Sequence, residues 1–272
     1  MSVFKLQDRA QIEQFLRQDV ERYLYELGDL DDFFWPYTTW YALGEQPTIE
    51  QLALLYRGID PVVLLVQERE GGSSPGWLQQ MRPHLPGRFY AHLTPGLVRD
   101  LQAHYAVQSH GLHWKMALRD VERLMQADAS GVLPLGVEDL GALQQLYAAA
   151  YPGNWFDPRM LQTGQYVGLW EDGRLLSAGG VHVYSPRYGA AAIGNITTLS
   201  ERRGQGLAGR VTAQLCRSLL KTVTVIGLNV LADNAPAIAC YRRLGFEPVV
   251  TYEEFMCEPI QNPGRNGSIV VE

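Results

Sequence analysis

Two stretches of this sequence place residue types at spacings suited to an anionic ligand and a proton transfer. In the first, Thr197, Thr198 and Leu199 end an apolar strand pattern. Arg203 follows, and Gly204, Gln205, Gly206, Leu207, Ala208, Gly209 and Arg210 lead into a helical pattern of Leu207, Val211, Leu215 and Leu219. The first N–H groups of a helix have no partner within it and carry the positive end of its dipole, and glycines let a ligand approach the backbone. The segment is therefore a seat for a phosphate or pyrophosphate, with Arg203 and Arg210 near one face to meet outer phosphates. In the second stretch Asn234 opens a helix, Tyr241 follows seven residues later, about two turns on, and Gly245-Phe246 closes it.

Three phosphate-binding patterns compete for the glycine turn. A P-loop has the right glycine spacing from Gly204 to Gly209, but Arg210 and Val211 stand where Lys and Ser or Thr should touch phosphate and magnesium. The dinucleotide pattern G-x-G-x-x-G is met by Gly204, Gly206 and Gly209. However, the charged Glu201-Arg202-Arg203 precedes it, and the next strand ends in Asn229 rather than an acidic ribose ligand. The third pattern, R-x-x-G-x-[GA], is met by Arg203, Gly206 and Ala208, and the second stretch reads N-x-x-A-x-x-x-Y-x-x-x-G-F with Asn234, Ala237, Tyr241, Gly245 and Phe246. Together the two blocks resemble the cofactor-binding core of the GNAT superfamily of acyl-CoA-dependent N-acyltransferases, and the likeness extends in element order over residues 132–257.

The resemblance implies acetyl-CoA or a related acyl-CoA as co-substrate, with no metal. Its pyrophosphate would lie on the backbone of residues 205–210 beside Arg203 and Gly204. The pantetheine arm would run along Thr197, Thr198 and Leu199, and Asn234 would bond it. Tyr241 would protonate the departing thiolate as general acid. An amine would attack the thioester directly, the oxyanion held by a strand N–H such as that of Leu199. Taken singly, Tyr241 reads as core packing and Asn234 as a helix cap; the adjacent glycine turn favours the functional reading of both. Relatives place a glutamate base where Ala192 or Asn229 stands here, so the base is open among His182, Glu253, Glu254, Asp157 and a water chain.

The elements that must position these groups follow from periodicity. Residues 130–258 read as the catalytic acyl-CoA-binding domain, with strands at 132–135, 165–170, 175–184, 190–199, 223–230 and 248–257 and helices at 137–151, near 158, at 205–221 and at 235–244. Residues 1–129 read as a degenerate GNAT-like domain bracing it: one long helix over 8–27, strands at 38–43, 52–56, 62–67 and 88–93, short helices near 77–81 and 97–105, and a strand pair ending near 118. The order of elements recurs at an offset of about 140 residues, a hint of internal duplication. Residues 70–76 carry no R-x-x-G-x-[GA], so a second acyl-CoA site is not expected, and 259–272 read as a tail. The fold class is α/β (α+β): tandem GNAT-like domains on a mixed central sheet flanked by helices.

The 272 residues carry 23 Lys and Arg against 29 Asp and Glu, a formal charge of −6, which argues against a nucleic-acid binder. Three cysteines without a CxxC pair indicate neither a disulfide scaffold nor a zinc site. No apolar run is long enough to span a bilayer and the first ten residues lack the apolar core of a secretion signal, so the expected location is cytoplasmic. The expected activity is transfer of an acyl group to a primary amine of a small molecule or peptide. A non-catalytic acyl-CoA sensor is the alternative, motivated by Ala192 and Asn229.

Overall fold

The computed structural model describes residues 1–69 and 76–260. In chain order the elements are β1 (Ser2–Leu6), α1 (Arg9–Leu16), α2 (Leu24–Gly28), β2 (Thr38–Glu45), β3 (Thr48–Tyr56), β4 (Val62–Val66), α3 (Trp77–Met81), β5 (Phe89–Leu93), β6 (Tyr105–Leu118) and α4 (Val121–Gln126). They continue as β7 (Val132–Pro134), α5 (Leu140–Ala150), β8 (Val167–Glu171), β9 (Arg174–Ser185), β10 (Ala190–Thr198), α6 (Leu207–Leu219), β11 (Val225–Leu231), α7 (Ala235–Arg243) and β12 (Phe246–Pro259). All twelve strands join one mixed sheet in the order β1-β2-β3-β4-β5-β12-β6-β11-β10-β9-β8-β7.

That order has an internal symmetry. Each half contributes five strands in sequence, with its fourth and fifth parallel, β4 with β5 and β10 with β11. The closing strand of each half then lies nearer the other half. β12 pairs with β5, β6 pairs with β11, and β6 and β12 pair with each other along nearly their full length. The repeat hinted at by element order is thus present in the sheet, with its last strands exchanged.

Strands in the first half are apolar at successive positions because both of their faces are covered. Along β2, β3 and β4 the side chains alternate between two cores: Trp40, Ala42, Leu52, Leu54, Val63 and Leu65 on one side, Tyr41, Leu43, Ala53, Leu55, Leu64 and Val66 on the other. The second side is closed by Trp77, Leu78 and Met81 of α3. The first is continuous with the core of the second half, where α2 lies against β9, β10 and β11. The aromatic group at residues 33–41 joins this packing, with Phe34 and Trp40 fully buried.

Three expectations are corrected. The helix over 8–27 is two: α1, capped by the Asp8 carboxylate on the N–H groups of Ala10 and Gln11, and α2 after a turn in which Arg22 bonds the Asp19 carboxylate. The periodic apolar residues still face inward, because a turn between two short helices keeps them on one side of the chain. The region 97–105 holds only a short 3-10 turn at Leu97–Asp100, and Tyr105 already begins β6. The strand pair ending near 118 is that single 14-residue strand, long because it spans both halves. β1 and α4 were not anticipated. The loop at 70–75 and the tail from 261 lie outside the described residues.

Candidate active site

The site begins where β10 and β11 part. They pair in parallel from Ala190 and Val225 to Ile193 and Leu228, and no further. Beyond Ile193 the register of β10 against β9 shifts at a bulge, where Asn195 adopts a φ of 52°. Two buried phenols hold this conformation: Tyr147 donates to the Asn195 carbonyl at 3.0 Å, and the Asn195 amide donates to the Tyr166 oxygen at 3.4 Å. In the first half β4 and β5 stay paired over all five residues, so the corresponding gap is absent there.

The gap opens into a cleft of about 1230 Å³. One end is floored by the turn before α6. Gly204 and Gly206 both have φ of 78°, a backbone that a side chain would strain, and open space lies where a Cβ would stand at either. Gly206 caps α6, and its carbonyl accepts the N–H of Arg210 at 3.1 Å, so the N–H groups of Leu207, Ala208 and Gly209 precede the helical ladder. These residues, with Thr197, Thr198, Arg203, Asn234 and Tyr241, line the cleft; exposed Gln205 does not. A diphosphate fits such a turn, since the backbone is free to donate and no side chain fills the space above it.

Two sequence-predicted contacts are corrected. Arg210 turns away from the cleft, donating to the Ser130 carbonyl and lying 3.3 Å from the Asp128 carboxylate, while its own N–H is spent inside the helix. Leu199 is buried and its N–H donates to the Leu176 carbonyl at 2.9 Å, so it has no hydrogen left for an oxyanion. Backbone groups alternate sides along a strand, so the neighbouring Thr198 N–H faces the gap, as does its carbonyl, which accepts from Arg203 at 3.3 Å. Arg203 also donates to the Ala150 carbonyl, fastening the turn to the carbonyl end of α5.

Asn234 is the cap of α7, accepting from the Ala237 N–H at 3.2 Å through its carboxamide oxygen, which leaves the amide hydrogens for another partner. Tyr241 lies over the buried Phe246 edge to face, with ring centroids 5.9 Å apart. Burial raises its phenol well above the ordinary value, so it is protonated at neutral pH. The Gly245-Phe246 pair has a packing reason of its own. A Cβ on Gly245 would stand 2.3 Å from the Asp120 carbonyl oxygen, and the Gly245 carbonyl accepts from Arg119 and Asp120. Cys216 is buried and Cys240 half-buried, the latter lining the cleft.

The opposite end of the cleft is built around Glu254, only 9% exposed. Its carboxylate accepts from Tyr90 at 2.5 Å and Tyr252 at 2.7 Å, and the Nε2 atoms of His92 and His113 lie 3.5 and 3.6 Å away. Burial pulls this carboxyl upward, but the imidazoles and phenol hydrogen bonds outweigh it and leave it below its ordinary value. Burial pushes His92 down to about 4, so it is neutral at pH 7. His182, also in the cleft, is likewise pushed down to about 4 by burial. Of the other base candidates, Asp157 lines the cleft but is tied to Arg159 at 2.6 Å, and Glu253 faces away, accepting from the Gly96 N–H at 3.0 Å. Asn229 brings to the cleft a buried carboxamide oxygen with no hydrogen-bond partner among the described residues.

Most of this end was not anticipated. Tyr25, Asp29, Tyr90, His92 and His113 belong to the first half, and they reach the cleft because α2 packs on β10 and because β5 and β6 flank β12. No local pattern marks them. Among the described residues no group of three or more His, Cys, Asp or Glu is arranged to hold a metal ion, and no helix is long and apolar enough to cross a membrane.

The parallel strand pair thus parts at a bulge, with a glycine turn and a helix N-terminus at the mouth of the gap. Residues 139–246 match the sequence profile of the acetyltransferase (GNAT) family and form a domain of that family. Solved structures of similar fold include a protein assigned to the GNAT family from Novosphingobium aromaticivorans, 22% identical, with a TM-score of 0.54 over 73% of this chain and 84% of that one. A Drosophila protein is 14% identical, with a TM-score of 0.72 over 95% and 99% of the two chains. A tandem GNAT protein of clavulanic acid biosynthesis is 16% identical, with a TM-score of 0.55 over 94% and 97%. No curated protein sequence matches the chain.

Proposed function

We propose that the protein transfers an acyl group, acetyl in the simplest case, from acyl-CoA to a primary amine. The observation that carries this reading is the single cleft shared by the Gly204–Gly209 turn, Tyr241 and the Glu254 cluster. Residues 130–258 act as the acyl-CoA-binding unit, while 1–129, without a strand gap of its own, supplies one wall of the acceptor pocket. The N–H groups of Leu207, Ala208 and Gly209 take the diphosphate with Arg203 beside them, and the Asn234 amide bonds the pantetheine arm.

The acceptor enters as an ammonium and is held by the ionised Glu254. A carboxylate of low pKa suits an ion pair that orients the ammonium, and its proton leaves to water in the open cleft before attack. The neutral amine then attacks the thioester carbonyl, and the oxyanion is met by a gap-facing N–H of β10, that of Thr198 replacing Leu199. As the carbon–sulfur bond breaks, the protonated Tyr241 phenol gives its proton to the leaving thiolate.

Mixing the protein with acetyl-CoA and a panel of amines should release free thiol. Tyr241→Phe and Glu254→Gln should each lower kcat by about 100-fold, with acyl-CoA affinity little changed by either. Absence of CoA binding by calorimetry would overturn the reading. Tight binding with no turnover on any amine would instead favour an acyl-CoA sensor, the reading that the alanine at 192 and asparagine at 229 support.

A further inference from the structure

Resting on the reading that an acceptor amine meets Glu254, we propose that Lys115 is a positioning residue for that carboxylate, acting from beneath the cleft through the rings of Tyr252 and Tyr25. Lys115 lies on β6, with Asn229 of β11 and Val250 of β12 opposite it, and is only 4% exposed. Its ammonium donates to the Arg22 carbonyl at 2.6 Å and stands 3.5 Å from the buried Glu26 carboxylate. Two rings flank the same ammonium, with centroids 5.8 Å away for Tyr25 and 5.9 Å for Tyr252. Lys115 does not itself line the cleft, whereas Tyr25 does, and the buried Tyr252 stands behind Glu254 and donates to it at 2.7 Å.

Stability alone does not account for a lysine at this place. Taking an ammonium and a carboxylate out of water costs about as much as their attraction returns, and apolar side chains of similar volume often fill such a site equally well or better. What the pair does specify is position. Arg22 directly precedes α2 by one residue and Glu26 lies within it, so the two contacts hold α2 to β6, and the Tyr25 ring between them in sequence is fixed at the acceptor end. The neighbouring charges at this turn, Arg22 and Asp19, are paired with each other at 2.9 Å, which leaves Lys115 and Glu26 facing one another. On its other side the cation draws electron density from the Tyr252 ring, which strengthens that phenol as a donor and keeps Glu254 ionised and aimed into the cleft.

The test is the double variant Lys115→Met with Glu26→Met in the full chain, which removes both charges at nearly constant volume and leaves neither buried alone. With acetyl-CoA and n-butylamine, or whichever amine of the panel is turned over fastest, KM for the amine should rise about 10-fold while kcat changes by less than about 3-fold. The melting temperature should be unchanged or higher, and CoA affinity by calorimetry should stay within about 2-fold of wild type. An unchanged KM would overturn the proposal. So would a melting temperature that falls together with CoA affinity and kcat, because that is the signature of a purely structural pair. Absence of thiol release by the wild-type protein on every amine would overturn the transferase reading and this proposal with it, whereas an active variant with wild-type KM overturns this proposal alone.

Discussion

At the scale of single residues, the site relies on burial to set protonation states. Tyr241 keeps its proton because ionising it inside the cleft is unfavourable, and Glu254 keeps its charge because two phenols donate to it. His92 and His182 are kept neutral by burial, each titrating near about 4 in the folded protein against about 6.5 in an unfolded chain. Between those values the unfolded chain binds protons that the folded one does not, so stability falls as pH falls through that window. Glu254, lowered when folded, acts in the same direction. Asp29, raised when folded, acts the other way, so the histidine contribution is read by difference: between about pH 6.5 and 4.5 the double variant His92→Gln with His182→Gln should lose less melting temperature than the wild type. Parallel curves for the variant and the wild type would contradict the assigned protonation states of the two histidines.

At the scale of elements, the anion seat depends on how the chain enters α6. Gly206 holds a left-handed backbone at the cap, and a side chain there costs about 1–2 kcal/mol whatever space surrounds it. Gly206→Ala should lower stability by that amount in denaturant melts and weaken acyl-CoA binding about 10-fold by calorimetry, because relaxing the strain re-aims the N–H groups of Leu207, Ala208 and Gly209. A variant with unchanged affinity would mean that these amides do not hold the diphosphate. The glycines, Asn234 and Tyr241 were legible in the sequence because their chemistry is local: a turn, a cap and a helical spacing. The two contacts that failed, Arg210 and Leu199, failed for non-local reasons. Each found a partner far along the chain, Arg210 at Ser130 and Asp128 and Leu199 at Leu176.

At the scale of the whole molecule, the exchange of β6 and β12 makes the halves dependent on each other. Without β6, β11 loses one of its two partners and β12 is separated from its own half, and without β12 the first half ends at an open β5. Residues 130–260 expressed alone should lack a cooperative melting transition, and adding residues 1–129 should restore one along with acyl-CoA binding. A cooperative fold for the isolated fragment would argue against this dependence. The sequence by itself determined the mixed α/β class, the strand pattern of the second half, and the glycine turn, helix cap and helical tyrosine that share the cleft, since periodicity and turn chemistry act over a few neighbours. Which carboxylates and phenols face the cleft was decided only by the tertiary structure. Glu254 meets Tyr90, His92 and His113 across 141 to 164 positions of chain because strand exchange places β5 and β6 on either side of β12, and no local spacing encodes a pairing of that range.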